Sequence, residues 1–302
     1  MMNIYYHPLY TYGIDSNSSF PRERYELIRN SLEVEFNSGL INFVEPIKAD
    51  VIDIYRAHTK DYVDRFLNSK LSDKEIREIG LKPWSIDIIN RTLFLTGGSI
   101  GALKDLYKGS LVAANLGGGT HHAHRTKGSG FCIFNDLAIC AIKALSDYNF
   151  KKILIIDLDV HQGDGTATIL KNRSDVYTFS MHCEKNFPFK KQYSDLDISL
   201  SQNISDEDYI FQLEKSLEKI DEIFKSDLIF FQAGVDILFS DKYGKLSLSH
   251  ECVEKRNEII FNFAKKRKNK ILIFMGGGYS IPIIETVKSF KKLFTMFSYY
   301  KY

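Results

Sequence analysis

Two adjacent histidines, His121 and His122, follow three glycines in the stretch NLGGGTHHA (115–123). Successive side chains of a regular strand point to opposite faces of a sheet, so a strand would separate the two imidazoles. Glycine adopts backbone angles that other residues rarely adopt, so the glycine run predicts an irregular turn. Such a turn can aim both rings at one point, where one imidazole would act first as a general base and then as an acid.

A second polar group, DLDVHQGDG at 157–165, ends an apolar stretch. Asp157, Asp159 and His161 are spaced by two, so on an extended chain they point the same way. Buried carboxylates are costly unless they are paired or bind a cation, so this spacing predicts a divalent metal. Zinc accepts such ligands and keeps a position for water in catalytic sites; iron(II) or manganese would also suit them. The alternative, that Asp157 and Asp164 only cap a turn and a helix, does not explain the repeated spacing.

Two more apolar stretches end in polar residues. LIFFQAGVD (228–236) ends in Asp236, and ILIFMGGGYS (271–280) carries Tyr279 after three glycines. Ligand sites of open parallel sheets form beyond the carboxyl ends of the strands, so these residues are expected at one site with the groups above. Tyr279 would donate its hydroxyl to an oxyanion, although it could also be an ordinary surface tyrosine. Asp157 and Asp164 would hold and orient the histidine rings.

Short apolar runs alternate with stretches of helical periodicity along the chain. The runs lack strict polar alternation, as expected for strands covered on both faces. The pattern predicts an α/β fold with a central, mostly parallel sheet and helices on both faces. Without a low-complexity linker or repeat, residues 1–302 are predicted to form one domain, and 67–85 is expected to be a long loop. The predicted strands are NIYYH, LVAANL, KILIIDLDV, VYTFSM, LIFFQA and KILIFM.

The composition is that of a soluble globular protein, with 44% hydrophobic and 26% charged residues. A net charge of +2 gives no electrostatic case for nucleic-acid binding. No apolar run reaches the roughly 18 residues of a membrane span, and the N-terminus lacks the features of a secretory signal. We therefore expect a cytoplasmic location. The four cysteines form no CxxC pair and are expected to be free thiols.

These motifs together resemble the histone deacetylase family of the arginase–deacetylase superfamily. The resemblance rests on GGGTHHA, GSGFCIFND, DLDVHQGDG, AGVDILFSDKYGKLSLS and GGGYS, in the family's order. It extends over most of the chain, and the family fold is a single α/β domain with a central parallel sheet. Gln162 stands where the nuclear enzymes of the family carry a second histidine. With DILFSDKYGKLSLS and IGLKPWS, it makes the chain more similar to the class IV and bacterial deacetylase-like branch.

The resemblance implies hydrolysis of an N-acyl-lysine amide with one Zn²⁺ per chain, Fe²⁺ being an alternative metal. It implies three metal ligands, namely Asp159, His161 and Asp236. It also implies a tandem catalytic pair, His121 and His122, their carboxylate partners Asp157 and Asp164, and Tyr279 as the group that polarises the acyl carbonyl.

Further residues are implied for the substrate and for a monovalent cation. An acyl-lysine tunnel would be lined by Gly130, Phe131, Phe187 and Tyr243. Polyamine deacetylases of the family carry an acidic residue where this chain has Tyr243, which counts against a polyamine substrate. A cation, usually K⁺, would be held by Asp157, Asp159, His161, Ser180 and the backbone carbonyl of Met181.

Other functions stay open at this point. The substrate could be a small acylated amine rather than a protein or peptide lysine, and the class IV resemblance favours long fatty acyl groups over acetyl. An arginase-like enzyme would be expected to carry two manganese ions and a longer set of His and Asp ligands. A binding protein with a structural metal would usually supply four protein ligands, whereas three are implied here.

Overall fold

The computed structural model describes residues 1–301 and contains one eight-stranded sheet in which every neighbouring pair is parallel. The strand order is β2-β1-β3-β8-β7-β4-β5-β6. The predicted α/β class is therefore confirmed. The strands are β1 Met2–Tyr5, β2 Ile41–Val44, β3 Val112–Asn115, β4 Ile153–Asp157, β5 Val176–Cys183, β6 Leu196–Leu200, β7 Leu228–Gln232 and β8 Lys270–Phe274.

Twelve helices connect and cover the strands in the described part of the chain. Every residue of β4 and of β7 is buried, so both faces of the central sheet are covered, as their apolar sequences predict. The helices are α1 Leu9–Tyr12, α2 Arg24–Ser31, α3 Glu33–Asn37, α4 Val51–Tyr55, α5 Lys60–Leu67, α6 Asp73–Ile79, α7 Asp87–Tyr107, α8 Asp136–Asp147, α9 Asp164–Leu170, α10 Asp206–Ile223, α11 His250–Arg267 and α12 Ile284–Ser298. None of those helices is long and apolar enough to cross a membrane.

Two strands were not predicted from the sequence, and one helix lies where a loop was expected. The strands β2 and β6 form the two edges of the sheet and are partly exposed, so they lack the continuous apolar runs of the central strands. Helix α6 lies within 67–85, which was wrongly expected to be one loop. It begins with a capping box, in which Ser72 and Glu75 bond each other's backbone N–H groups, and it ends at Gly80.

The four central strands end in register at one edge of the sheet. Asp157 of β4 is opposite Gln232 of β7, Gln232 is opposite Phe274 of β8, and Phe274 is opposite Asn115 of β3. The four segments that leave these strands therefore start side by side. They carry all the polar motifs that the sequence places beyond strand ends.

The buried side chain of Arg256, on α11, ties two of these segments together. It is fully buried, and its guanidinium donates to the carbonyl oxygens of Gly234 (2.6 Å), Ala233 (3.1 Å) and Leu158 (3.4 Å). Leu158 follows β4, whereas Ala233 and Gly234 follow β7. One cation thus satisfies the backbone acceptors of both segments.

Replacing Arg256 with methionine should lower the free energy of unfolding by about 3 kcal/mol, because buried carbonyl groups would lose their donors. Urea denaturation followed by circular dichroism measures this change. The exposed neighbour Lys255 provides a control, since Lys255→Met should change stability by less than about 0.5 kcal/mol. Equal stability of the two variants would contradict the structural role of Arg256.

Candidate active site

The turn before the tandem histidines is held by two buried polar side chains. Asp136 accepts hydrogen bonds from the backbone N–H groups of Gly119 (3.1 Å) and Thr120 (2.8 Å). Gln232 donates to the carbonyl oxygen of Gly119 at 2.9 Å. Gly119 has φ +98°, and a Cβ there would lie 2.5 Å from the backbone nitrogen of Gly276. This turn therefore needs glycine both for its backbone angle and for the close approach of the next segment.

The two imidazoles lie together, and each has its own carboxylate. Their ring centroids are 4.1 Å apart, and both side chains are buried. Nδ1 of His121 donates to Asp157 at 2.7 Å, and Nδ1 of His122 donates to Asp164 at 2.7 Å. Asp164 also contacts Nε2 of His124 at 3.0 Å, a residue that the sequence reading did not single out. With Nδ1 occupied, Nε2 is the nitrogen of each tandem histidine that can exchange a proton.

The surroundings shift the pKa values of the two rings in opposite directions. Burial lowers the pKa of His121, but Asp157 and Asp159 outweigh burial and raise this pKa to about 9. Burial lowers the pKa of His122 to about 4, helped by the positive charge of His121 and opposed by Asp164. At pH 7 His122 is therefore neutral and able to accept a proton, whereas His121 is charged. Two neighbouring groups with separated pKa values are typical of acid–base catalysis.

The predicted metal ligands Asp159, His161 and Asp236 converge. One ligand atom from each lies within 4.8 Å of the others. Nδ1 of His161 is 3.1 Å from oxygens of both Asp159 and Asp236. Backbone N–H groups of Gly277 and Val160 donate to Asp159 (2.8 Å) and Asp236 (2.9 Å), which fixes both carboxylates.

These three residues fit a divalent metal. Burial, and then the charge of Asp159, raise the pKa of Asp236 to about 7, as expected for two carboxylates enclosed without a full counter-charge. The donor set is two oxygens and one nitrogen, which suits zinc and also iron(II). Three protein ligands would leave a coordination position for a reactant.

Tyr279 is fixed beside this group through its backbone. Its N–H donates to Asp241 at 2.6 Å, and the carbonyl of Gly278 accepts from Arg24 at 2.9 Å. Its ring lies 6.0 Å from the Phe131 ring. Burial raises the pKa of the Tyr279 phenol well above its ordinary value, although Arg24 opposes the shift. The hydroxyl therefore stays protonated and can donate a hydrogen bond.

One cavity of about 410 Å³ is lined by both tandem histidines, by the predicted metal ligands Asp159 and His161, and by Tyr279. The four predicted substrate-contacting residues, Gly130, Phe131, Phe187 and Tyr243, all line it. Gly130 has φ +52°, and a Cβ there would lie 2.7 Å from the His122 ring and 3.1 Å from Phe187. A side chain at position 130 would therefore narrow the cavity beside the tandem histidines.

The five residues predicted to hold a monovalent cation lie on β4, β5 and the segment after β4. Asp157 is opposite Ser180 in the parallel register, and Met181 follows on β5. The Ser180 hydroxyl lies 2.9 Å from Nδ1 of His182. The cation itself stays a prediction.

A buried polar pair, not singled out in the sequence, supports the histidine segment. Asn135 donates from its side chain to the carbonyl oxygens of His121 (3.2 Å) and Ala123 (3.1 Å). Nε2 of His58 accepts from the backbone N–H of Asn135 at 2.8 Å, and Nδ1 donates to the carbonyl of His124 at 2.9 Å. A signal was present for Asn135, which lies in the mostly apolar stretch FCIFNDLAI (131–139), whereas His58 lies in the polar stretch RAHTKD (56–61) and gave none.

Comparison of the sequence with known proteins identifies a family that has these motifs. A family model for the histone deacetylase domain covers residues 18–292. The chain belongs to the histone deacetylase family. The predicted resemblance is thus confirmed, and family membership supports hydrolysis of acyl-lysine. Assignment to the class IV branch stays a prediction.

Relatives of the chain include bacterial and eukaryotic members. An uncharacterized protein of Picosynechococcus sp. is 38% identical over 287 residues, which cover 94% of each chain. Histone deacetylase 2 of Arabidopsis thaliana is 30% identical over 245 residues, 78% of this chain and 63% of the plant protein. Acetoin utilization protein AcuC of Staphylococcus aureus is 28% identical over 303 residues, 92% of this chain and 77% of AcuC. The chain therefore spans less than two thirds of the plant relative.

The His58 contacts predict a specific pH dependence of stability. Burial lowers the pKa of folded His58 to about 4, whereas an unfolded histidine titrates near 6.5. Between these values the unfolded chain binds a proton that the folded chain does not, so this stability is present above pH 6.5 and is lost as the pH falls. When the pH falls from 7 to 4.5, the free energy of unfolding of the wild type should decrease by about 2 kcal/mol more than that of His58→Gln. Urea denaturation at both pH values measures this difference, and parallel losses would contradict it.

Proposed function

We propose that this protein hydrolyses the amide bond of N-acyl-lysine side chains with one bound divalent metal, Zn²⁺ by preference. Asp159, His161 and Asp236 would hold the metal. The observation that carries the proposal is that the tandem histidines face this ligand group across one cavity, with the His122 and His161 rings 5.7 Å apart. A base, a metal group and a hydroxyl donor are then within reach of one carbonyl carbon.

The metal, when bound, supplies a Lewis acid that polarises the acyl carbonyl and lowers the pKa of water. His122, neutral at pH 7, takes a proton at Nε2 from the attacking water, and Asp164 keeps its ring oriented. The same imidazole then returns the proton to the lysine nitrogen, which leaves as the amine. His121, charged through Asp157, stabilises negative charge that develops on the carbonyl oxygen, and Tyr279 donates its hydroxyl to that oxygen.

The aromatic walls of the cavity support a lysine-like substrate. Phe131 and Phe187 line the same cavity and would enclose the methylenes of the side chain, with the acyl carbonyl placed at the metal group. Hydrolysis of a small acylated amine would use the same chemistry and is the alternative within this proposal. Tyr243 lines the cavity and offers a polyamine a phenol instead of a carboxylate.

Tyr279→Phe should lower kcat/KM by about 10²-fold or more, because the oxyanion loses one donor. Purified zinc-loaded protein would be assayed on acetyl-lysine peptide, myristoyl-lysine peptide and an acetylated polyamine, with release of the free amine as readout. Tyr299→Phe, at an exposed tyrosine, is the matched control and should act like wild type. Loss of activity in Tyr279→Phe with metal retained supports the proposal. Activity equal to wild type would contradict the role of the hydroxyl.

Removing one carboxylate ligand should abolish stoichiometric metal binding. Wild type dialysed against zinc should retain one ion per chain, whereas Asp236→Asn should retain far less, since the amide is a weaker ligand. Elemental analysis of the dialysed protein measures the ratio. Asp175→Asn, outside the group, is the control and should still bind one ion. Two ions per wild-type chain would favour an arginase-like site over the proposed one.

A further inference from the structure

The carboxylate of Asp164 contacts two imidazole rings rather than one. Nδ1 of His122 donates to its Oδ1 at 2.7 Å, and Nε2 of His124 lies 3.0 Å from its Oδ2. The matching carboxylate of the other tandem histidine, Asp157, accepts from His121 and from a backbone N–H group. In the described part of the chain, the second imidazole is therefore a feature of the His122 pair and not of the His121 pair.

The His124 ring is held at both nitrogens by one turn of α9. Asp164 begins this helix and Thr168 lies four residues later, so the two side chains stand on the same face. Nδ1 of His124 is 3.0 Å from the Thr168 hydroxyl, while Nε2 contacts Asp164. Because an ionised carboxylate can only accept, Nε2 carries the proton and donates it to Asp164.

The backbone of His124 is fixed as well. Its N–H donates to the carbonyl of Lys127 at 2.9 Å, and its own carbonyl accepts from Nδ1 of His58 at 2.9 Å. The His124 side chain is 21% exposed, whereas that of Asp164 is 6% exposed, so the outer ring of this set is the one that meets solvent. A residue held at its backbone and at both ring nitrogens can impose one orientation on the carboxylate that it contacts.

We propose that His124 is a positioning residue for the general base. By donating to Oδ2, it fixes the rotation of the Asp164 carboxylate, so that Oδ1 stays aligned with Nδ1 of His122 and the other nitrogen of that ring faces the reacting water. His124 does not contact the substrate, and it transfers no proton in the reaction. The inference rests on the proposed function, because His122 acts as a base only if the protein hydrolyses an acyl amide.

The second donor also divides the negative charge of Asp164. Burial raises the pKa of this carboxyl, but the hydrogen bonds from His122 and His124 outweigh burial and hold the pKa well below its usual range. A carboxylate that faces a single imidazole favours the protonated form of that ring, which cannot accept a proton. Because His124 draws on the same charge, less of it acts on His122. A base that is less stabilised when protonated also returns its proton to the lysine nitrogen more readily.

The first test compares two substitutions in the zinc-loaded enzyme, on whichever of the acetyl-lysine and myristoyl-lysine peptides the wild type hydrolyses faster. His124→Phe keeps the ring but removes the donor, and it should lower kcat about tenfold while KM changes less than about threefold. His124→Gln keeps an N–H donor near the position of Nε2 and should restore kcat to within about threefold of wild type. A wild-type kcat in His124→Phe would overturn the inference.

The second test is the pH profile of kcat/KM in the same proteins. With one donor fewer on Asp164, protonated His122 is more stable, so the acid limb of His124→Phe should move to higher pH by about one unit. The limb of His124→Gln should stay with that of the wild type. Circular dichroism and elemental analysis at each pH confine the comparison to folded, zinc-loaded protein.

A histidine away from the site provides the matched control. Nε2 of His250 contacts Glu285 at 2.8 Å, and neither residue lines the active-site cavity. His250→Phe should therefore leave the acid limb in place. A loss in His124→Phe that is equal at every pH would assign His124 to folding alone and overturn the inference. An equal shift in His124→Phe and His124→Gln would assign the effect to the charge of the ring, against the donor role stated here.

A third measurement does not depend on turnover, so it separates failure of the inference from failure of the proposed function. The Nδ1 proton of His122, bonded to the buried Asp164, should exchange slowly with water and give a resolved NMR signal in the zinc-loaded protein. The signal should persist in His124→Gln and be lost to exchange in His124→Phe. An equally persistent signal in His124→Phe, with turnover that depends on Tyr279, keeps the hydrolase and rejects the role of His124. The expected signals without turnover of any peptide reject the proposed function and support the positioning of Asp164 by His124.

Discussion

Buried negative charge is the constraint on which this structure depends. Asp157, Asp159, Asp164 and Asp236 are all at most 4% exposed, and they lie at the end of β4 or in the segments that follow β4 and β7. Carboxylates in such surroundings must be neutralised, hydrogen-bonded or bound to a cation. Two of them hold the tandem histidines, and the other two meet at His161 and at backbone N–H groups. The parallel register of β3, β8, β7 and β4 makes this convergence possible.

The same constraint explains why the backbone comes so close to the reacting groups. The backbone N–H groups of Gly277 and Val160 donate directly to the two ligand carboxylates, where side-chain donors would need more room. Asp136 and Gln232 fix the turn that presents the histidines, and Asp241 fixes the segment of Tyr279. Each catalytic candidate is therefore positioned by a second polar residue from another element. Precise positioning of this kind lets fixed dipoles stabilise charge without reorganising during the reaction.

Much of this arrangement could be predicted from the sequence, because some of its causes are local. The two-residue spacing of Asp157, Asp159 and His161 fixes a common direction on extended backbone, and parallel strands share one carboxyl edge. The edge strands β2 and β6 could not be predicted, since their partly exposed residues do not form apolar runs. The capping-box residues of α6, Ser72 and Glu75, are present in the sequence, but the polar composition around them favoured the prediction of a loop.

Which side chains pair in the folded structure cannot be predicted from their spacing in the sequence. The spacing of the residues does not show that His121 pairs with Asp157 and His122 with Asp164. These pairings contribute to the opposite pKa shifts of the two rings, one of which favours the charged form and the other the neutral form. Two buried arginines illustrate the same point. Arg91 falls between Ile88 and Leu95 on the apolar face of α7, an unusual place for a cation, yet only the fold brings Arg24 beside it.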